Sequence, residues 1–310
     1  MRFPLIALLV LAACTAPAPD LPADARSEPP VLERFDVASD GHSMAVWARI
    51  PDEPRAVALL LHGRTWSSLP DFDLQVEGES LSLMEALAGR GIAAYAVDAR
   101  GYGATPRDES GWLNPDRMAE DVANVLAWVA TRHPEHPAPA VMGWSFGSTA
   151  AHLAAQRHPE RLSGVALYGY WKDPDGTLPV DDDPAAPPRA ATTEEAARSD
   201  FITEGTISAE AVAAFVAAAL EADPVRVDVR RVHEFNALAP DSLTVPTLVL
   251  QGELDPIAPT ETQVGLFLGL GTGHKAWVVL PGCDHAAHLE VCRPRFVQAL
   301  SAFVLEVAGR

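Results

Sequence analysis

The sequence predicts an α/β protein whose mostly parallel central sheet is flanked by helices and interrupted by a helical insertion. Along most of the 310 residues, short apolar runs alternate with longer segments of helical character. Two of these runs, at residues 56–61 and 92–97, are apolar without interruption, as in parallel strands that are buried on both faces. The contents of 48% hydrophobic and 21% charged residues are typical of a globular protein, and the length allows one large core with an insertion.

The elements of this fold are indicated in order by apolar runs and by helix boundaries. Strands are predicted at residues 44–50, 56–61, 92–97, 140–142, 164–168, 247–251 and 276–280. Helices are predicted at residues 80–88, 114–131, 148–157 and 294–307. Asn114 is a good N-cap, and Pro115 suits the first helical position because it has no N–H to leave unpaired. Gly89 and Pro159 end the helices that precede them.

Residues 171–242 break the alternation, because they contain no run that predicts a strand. Ser208 is a suitable N-cap for a helix at residues 209–222, and a further helix is predicted at residues 225–238. An insertion at this point would lie over the carboxyl ends of the strands, where open α/β sheets bind ligands. We therefore predict a core formed by residues 31–170 and 243–310 and a helical cap formed by residues 171–242. A surface insertion without a role in binding is the alternative.

The N-terminus is typical of an export signal. Arg2 precedes an apolar run at residues 5–13 that is too short to span a bilayer. The run ends in Leu-Ala-Ala-Cys, which resembles the lipobox of bacterial lipoproteins, where the Cys is lipidated and becomes the new N-terminus. The resemblance implies a signal peptide at residues 1–13, a lipid such as palmitate on Cys14, and an Ala- and Pro-rich tether at residues 14–30. A plain secretory signal that is cleaved nearby is the alternative.

Either interpretation places the mature protein outside the cytoplasm. Thr15 stands where an Asp would favour retention in the inner membrane, so we expect an anchor at the cell envelope, in the outer membrane. Export also affects Cys283 and Cys292, which are close in sequence and would meet an oxidising compartment. A disulfide between them and a pair of buried thiols are both compatible with the sequence.

The charge balance excludes several classes of partner. The chain has 42 acidic and 23 basic side chains, for a net charge of −19. Such a field repels the phosphate backbone of nucleic acids. We find no basic cluster, zinc-type Cys spacing or P-loop pattern, and we therefore expect no nucleic-acid partner, no metal and no cofactor.

The most informative motif lies at residues 143–147, Gly-Trp-Ser-Phe-Gly, which fits the pattern G-x-S-x-G with Ser145 at its centre. In this pattern the Ser occupies a sharp strand-to-helix turn in which side chains on either Gly would clash. The predicted strand at residues 140–142 and helix at residues 148–157 supply that context. The motif therefore predicts a nucleophilic Ser145, with an ordinary turn as the alternative.

A Ser hydroxyl is a weak nucleophile until a base accepts its proton, and the base needs an acid that orients it. Asp255 and His285 each follow the end of a predicted strand, which is where such side chains are expected. Glu253 competes with Asp255 and His288 competes with His285, but Glu253 lies too close to its strand end and His288 is expected to begin the next turn. The chain order is then Ser145, Asp255, His285.

Together these motifs resemble the α/β-hydrolase superfamily, in particular its esterases and lysophospholipases. The resemblance extends over residues 59–304 and includes His-Gly at residues 62–63 and Asp-Ala-Arg-Gly-Tyr-Gly at residues 98–103. An oxyanion needs two donors, and one is expected from the backbone N–H of Phe146, at the start of a helix. The resemblance implies that the backbone N–H of Arg64 is the second.

The substrate is the least determined part of the prediction. Trp66 and Trp144 flank the expected nucleophile and oxyanion positions and suggest a partly hydrophobic acyl pocket, although Trp144 is equally compatible with the core. We expect a small ester or acyl substrate and hydrolysis through an acyl-enzyme. A peptidase, a thioesterase and a non-catalytic lipid-anchored binding protein are alternatives. A peptidase acting on free amino termini would need an acidic anchor, for which Asp200, Glu204 and Glu234 are candidates.

Overall fold

The structure is a computed structural model that describes residues 28–181 and 185–310. The predicted signal peptide, Cys14 and nearly all of the predicted tether lie outside these residues. The strands are β1 (Leu32–Ser39), β2 (His42–Arg49), β3 (Ala56–Leu61), β4 (Ile92–Val97), β5 (Trp112–Leu113), β6 (Ala140–Trp144), β7 (Gly164–Tyr168), β8 (Asp228–Val229), β9 (Thr247–Gly252) and β10 (Lys275–Leu280). The α-helices are α1 (Ser68–Phe72), α2 (Leu83–Ala88), α3 (Pro115–Arg132), α4 (Phe146–Arg157), α5 (Glu194–Arg198), α6 (Ala209–Ala222), α7 (Thr260–Gly269) and α8 (Arg293–Ala308). Short 3-10 helices cover Pro159–Arg161, Val232–Ala237 and Pro240–Ser242.

The centre of the molecule is an eight-stranded sheet in the order β1-β2-β4-β3-β6-β7-β9-β10. Strands β4, β3, β6, β7, β9 and β10 of this sheet pair in parallel. At one edge, β2 pairs antiparallel with both β1 and β4. One face packs on α3 and α4 and the other on α2 and α8. In β3, Leu59 and Leu61 belong to the first of these layers and Leu60 to the second. The predicted mostly parallel sheet between helices is confirmed.

The sequence did not predict β1, whose side chains are half exposed and include three charged residues. The predicted helix at residues 225–238 is wrong. Here the backbone pairs with distant segments instead: Arg226 N–H donates to Ala190 O, and Arg230 N–H donates to Leu113 O. Arg231 then adopts a left-handed conformation with φ 56°, which no α-helix contains. A short strand, β8, and a 3-10 helix replace the predicted helix.

The inserted segment, defined as residues 171–242, packs mainly through α6. Helix α6 begins where the sequence predicts, since the hydroxyl of the N-cap Ser208 accepts a hydrogen bond from Ala211 N–H. Phe215 from this helix is buried against Trp66, in an apolar cluster separate from the two layers of the sheet. Over residues 28–181 and 185–310, no helix has both the length and the apolar character that crossing a bilayer requires.

Candidate active site

Ser145 lies at the junction of β6 and α4, at the carboxyl end of a central strand. Its backbone has φ 53° and ψ −118°, a conformation that is strained for a residue with a side chain. The flanking glycines are required by close backbone contacts: a Cβ on Gly143 would overlap Gly147 O, and a Cβ on Gly147 would overlap His62 O. The sharp turn predicted from the pattern at residues 143–147 is therefore built as expected, with Ser145 partly exposed at its tip.

Asp255 follows β9 and His285 follows β10, and the structure brings the two side chains together. His285 Nδ1 lies 2.7 Å from Asp255 Oδ2, and both side chains are almost completely buried. The other Asp255 oxygen accepts hydrogen bonds from the N–H groups of Ile257 and Ala258, at 2.8 and 3.1 Å. The carboxylate is thereby fixed in orientation. A proton on Nδ1 that is donated to Asp255 leaves His285 Nε2 free to act as an acceptor.

Three residues hold His285 in place, and the sequence indicated this role for none of them. The carbonyl oxygen of His285 accepts hydrogen bonds from Trp144 Nε1 at 2.8 Å and from the Tyr168 hydroxyl at 2.6 Å. Gly169 lies against the imidazole, since a Cβ at this position would be 2.9 Å from His285 Cε1. Gly169 directly follows β7, and a Gly at the end of a buried strand was the one signal available in the sequence.

The competing residues have other contacts. Glu253 is exposed, and its carboxylate accepts a hydrogen bond from Gly282 N–H at 2.8 Å. His288 is fully buried, with Nε2 3.0 Å from Asp71 O and its ring 4.6 Å from that of Trp144. Burial lowers the pKa of His288 to about 3. Neither side chain forms a hydrogen bond with the side chain of Asp255 or His285 within the described residues, so the structure pairs Asp255 with His285.

The loop after β3 lies beside the elbow, because a Cβ on Gly63 would be 3.5 Å from Ser145 Cβ. His62 fixes this loop from below: its Nε2 accepts a hydrogen bond from Ala99 N–H at 3.0 Å, and its Nδ1 donates to Gly63 O at 2.8 Å. Burial lowers the pKa of His62, in agreement with this neutral tautomer. Arg64 comes next and its side chain is exposed. Phe146 is the first residue of α4, where a backbone N–H has no acceptor within the helix.

The two tryptophans differ from the predicted pocket. Trp144 is buried beneath the elbow, with its ring stacked 6.2 Å from that of Tyr168, so the pocket role for Trp144 is corrected to a core role. The Trp144 ring packs in the core, and its Nε1–H donates a hydrogen bond to the His285 carbonyl oxygen. Trp66 is also buried and donates from Nε1 to Asp200 Oδ2 at 2.6 Å, which connects the loop after β3 to the inserted segment. Phe146 is likewise buried, with its ring packed 5.2 Å from that of Phe235.

Cys283 and Cys292 form a disulfide with Cα atoms 6.3 Å apart. It closes the loop that carries His285 onto the start of α8. Possible ligand atoms of Cys283, Glu290 and Cys292 lie within 4.8 Å of one another. The disulfide leaves neither sulfur as a thiolate, the form that binds metal ions, so we do not assign this cluster to a metal.

Several carboxyl groups lie around the site. Asp200 is partly buried, and burial raises its pKa to about 6 although the Trp66 hydrogen bond and the charge of His285 lower it. Asp71 is completely buried and its Oδ2 accepts a hydrogen bond from Gly63 N–H at 3.2 Å. Burial, and next the charge of Asp200, raise the pKa of Asp71 well above its usual range. Sequence reasoning named Asp200 among candidate anchors but gave Asp71 no role.

The chain is similar to a known protein family and to several solved structures. The sequence profile of a family described as "Serine aminopeptidase, S33" matches residues 52–291. No curated protein matches the chain. Among solved structures, the esterase RhEst1 from Rhodococcus sp. ECU1013 is 22% identical with a TM-score of 0.62, over 89% of this chain and 99% of that one.

Two further structures have other activities in their names. The thioesterase domain from the curacin biosynthetic pathway is 17% identical with a TM-score of 0.60, over 89% of this chain and 99% of the domain. A proline iminopeptidase from Mycobacterium smegmatis is 17% identical with a TM-score of 0.62, over the same shares of the two chains. At these identities the similarity shows a common fold and does not distinguish between the reactions.

Proposed function

The chain belongs to the serine aminopeptidase S33 family, a family of α/β-hydrolases, and we propose that it hydrolyses a carboxylic ester through an acyl-enzyme on Ser145. The observation that carries the proposal is the 2.7 Å contact between His285 Nδ1 and Asp255 Oδ2 at the sheet edge where Ser145 lies. A nucleophile in a strained turn, a buried base and a fixed carboxylate at one edge are the parts that acyl transfer requires.

In the first half of the reaction, His285 Nε2 accepts the Ser145 hydroxyl proton while Oγ attacks the ester carbonyl carbon. Asp255 stabilises the imidazolium and stays ionised. The tetrahedral intermediate collapses when His285 returns the proton to the leaving alcohol oxygen, and the acyl group remains on Ser145. In the second half, water attacks this acyl group and gives its proton to His285. Collapse then releases the carboxylic acid, and Ser145 recovers its proton.

Two backbone N–H groups are proposed to stabilise the negative charge that develops on the carbonyl oxygen. Phe146 N–H is at the amino end of α4, where the helix dipole also favours an anion. Arg64 N–H is in the loop that Gly63 places against Ser145. Loss of one such donor typically costs about 2.7–4 kcal/mol of transition-state stabilisation.

The test is hydrolysis of short- and long-chain p-nitrophenyl esters by the purified protein. The Ser145→Ala variant is expected to lose at least ~10⁴-fold in kcat, as removal of a nucleophile does. Ser110→Ala, in an exposed loop, is the matched control and should retain activity. A folded parent that hydrolyses neither ester, nor an acyl thioester, would contradict the ester and thioester assignments and favour a peptidase or a binding protein.

An aminopeptidase is the second candidate, and Asp200 is the observation that favours it. Its carboxylate is held by Trp66 and lies close enough to His285 for the two charges to interact. A carboxylate in this position can bind the free amino group of a peptide. If the protein is an aminopeptidase, Asp200→Asn should abolish hydrolysis of aminoacyl p-nitroanilides and leave p-nitrophenyl esters almost unaffected. Equal effects on both substrates would contradict this role.

The site of action is proposed from the sequence alone. We infer that the chain is exported and anchored by lipid on Cys14 at the bacterial cell envelope, in the outer membrane. Labelling of the full-length chain with a palmitate analogue, followed by membrane fractionation, tests this. Label and membrane association should both be lost in Cys14→Ser and retained in Cys292→Ser. A label-free protein found in the soluble fraction would indicate a plain secretory signal instead.

A further inference from the structure

Two carboxyl groups, Asp284 and Glu290, are buried together in the disulfide-closed loop that carries His285. Asp284 is completely buried and Glu290 is 2% exposed. Glu290 Oε2 accepts a hydrogen bond from Asp284 N–H at 2.8 Å. Neither group forms an ion pair with a Lys or Arg of residues 28–181 or 185–310. The catalytic sequence proposed above uses neither of them, so their burial has another reason.

Both carboxyl groups reach the inserted segment at the turn formed by residues 203–206. Asp284 Oδ2 accepts a hydrogen bond from Thr203 N–H, and Glu290 Oε1 lies 3.0 Å from Thr206 Oγ1. The backbone adds a third link, since Val291 N–H donates to Thr206 O at 2.8 Å. The turn at residues 203–206 follows Asp200, which is tied to Trp66. The loop with His285, the inserted segment and the loop after β3 are therefore connected.

The hydrogen bonds around Thr206 are best satisfied when Glu290 is protonated. The Thr206 hydroxyl has one proton and two oxygen neighbours, Thr203 O at 2.8 Å and Glu290 Oε1 at 3.0 Å. If the Thr206 hydroxyl donates its proton to Thr203 O, it can only accept a hydrogen bond from Glu290. Glu290 can donate that hydrogen bond only when it is protonated. A deprotonated Glu290 would also place a second negative charge beside Asp284, in surroundings with little water.

The electrostatic surroundings agree with a neutral Glu290. Burial is the main cause that raises the pKa of Glu290 to about 8, and the side chain and charge of Asp284 raise it too. The hydrogen bonds from Asp284 N–H and from Thr206 lower this pKa but do not cancel the effect of burial. The other titratable or charged groups that face this region are His285 and His288 of the same loop, Tyr168 of β7 and Arg293 of α8. Arg293 donates to the carbonyl oxygens of Leu81 and Ser82 and so is directed away from Glu290.

We propose that Glu290 is a positioning residue of the reaction: as a neutral carboxyl group it joins the turn at residues 203–206 to the loop of His285 and thereby holds His285 in place. Loss of its proton removes the hydrogen bond that Glu290 donates to Thr206 and places a second negative charge beside Asp284, which loosens the loop of His285 from the inserted segment. The inference rests on the proposed function, because it concerns the same base. A His base alone predicts loss of activity in acid, whereas this connection predicts an additional loss in alkali.

The experiment compares wild-type protein with Glu290→Gln, which mimics the neutral carboxyl group at every pH. With a pKa near 8, only ~3% of Glu290 keeps its proton at about pH 9.5, so kcat of the wild type should fall ~30-fold from its value at about pH 7. In Glu290→Gln the alkaline fall should be below ~2-fold. Glu253→Gln is the matched control, because Glu253 is an exposed carboxylate bonded to the same loop, and it should keep the wild-type profile.

Hydrogen exchange of residues 203–206 and 283–292, measured on the same three proteins, provides a readout that does not need turnover. Above about pH 8, these residues should exchange faster in the wild type and in Glu253→Gln than in Glu290→Gln. The proposal is overturned if kcat of Glu290→Gln still falls in alkali, or if kcat of the wild type does not fall. If the wild type hydrolyses no ester, the proposed function fails, and the exchange data alone still decide whether Glu290 holds the two segments together.

Discussion

At the scale of single residues, Gly169 offers a direct test of how closely His285 is held. Gly169 has φ +57°, and a Cβ there would lie 2.9 Å from His285 Cε1 and 3.0 Å from Nδ1. Gly169→Ala should displace the imidazole from Asp255 and reduce kcat by ~10²-fold, the usual cost of a misplaced catalytic group. Ester turnover and the pH profile of kcat are the measurements.

The backbone strain of this substitution needs its own control. Gly41, in the turn between β1 and β2, has φ +80° and nothing within 4 Å of the position of its Cβ. Gly41→Ala therefore has the same left-handed strain, ~1–2 kcal/mol, without a contact at the site. It should lose stability but not kcat. Equal losses of kcat in the two variants would mean that Gly169 matters only for folding.

The positions of some residues near His285 could be predicted from the sequence, and those of others could not. That Asp255 and His285 lie close together could be predicted, because each follows a strand and neighbouring parallel strands end at the same edge of a sheet. Gly169 could not be assigned, since its role depends on contact with a side chain from a distant loop. Trp144 illustrates the opposite difficulty: it is adjacent to Ser145 in the sequence, yet alternation along β6 turns its ring into the core.

At the scale of elements, the disulfide between Cys283 and Cys292 is expected to support activity more than folding. Closure of so short a loop stabilises a fold by ~3 kcal/mol at most, but this loop contains His285. The Cys283→Ser/Cys292→Ser double variant should lose more than ~10-fold in kcat, because small displacements of a base are costly. Turnover and urea unfolding measured on one preparation compare the two effects.

Cys14→Ser is the control for this prediction, since it removes the remaining cysteine and leaves the loop closed. It should unfold and turn over like the parent when both are assayed in soluble form. Turnover that is unchanged in the double variant would show that hydrogen bonds from Trp144 and Tyr168 to the His285 carbonyl are sufficient to hold the loop.

Prediction of the elements succeeded where local chemistry decides. α6 begins after Ser208 and β7 covers residues 164–168, as the capping residue and the apolar run indicate. It failed at β1 and β8, which form through pairing with other strands. Residues 225–238 have helix-compatible composition, but the hydrogen bonds of their backbone to distant segments outweigh that preference.

At the scale of the whole molecule, stability should depend on pH in opposite directions on either side of about pH 6.5. Burial lowers the pKa of several histidines below the usual 6.5. These are His62, His133, His152 and His288. In the unfolded chain they bind protons as the pH falls through 6.5, whereas in the fold they stay neutral to lower pH. Acidification therefore favours unfolding through these groups.

The alkaline side is governed by buried carboxyl groups. Burial raises the pKa of Glu290 to about 8 and that of Asp71 well above its usual range. From about pH 4.5 to pH 8 the folded state keeps protons that the unfolded state has released, so these groups lower stability as the pH rises. Below about pH 6.5 the four histidines outweigh them, and above it the carboxyl groups dominate. Each retained proton contributes a slope of up to ~1.4 kcal/mol per pH unit. Glu290→Gln removes one such group, whereas Glu253→Gln removes an exposed carboxylate.

Urea unfolding at a series of pH values from about 5 to 8.5 measures these slopes. The free energy of unfolding of the wild type should be greatest near pH 6.5 and decline above it. Glu290→Gln should decline less steeply on the alkaline side and rise more steeply on the acid side, because the retained proton of Glu290 opposes the effect of the histidines from about pH 4.5 upward. Glu253→Gln should follow the wild type throughout. A wild-type stability that rises steadily to pH 8.5 would mean that Asp71 and Glu290 are ionised in the fold.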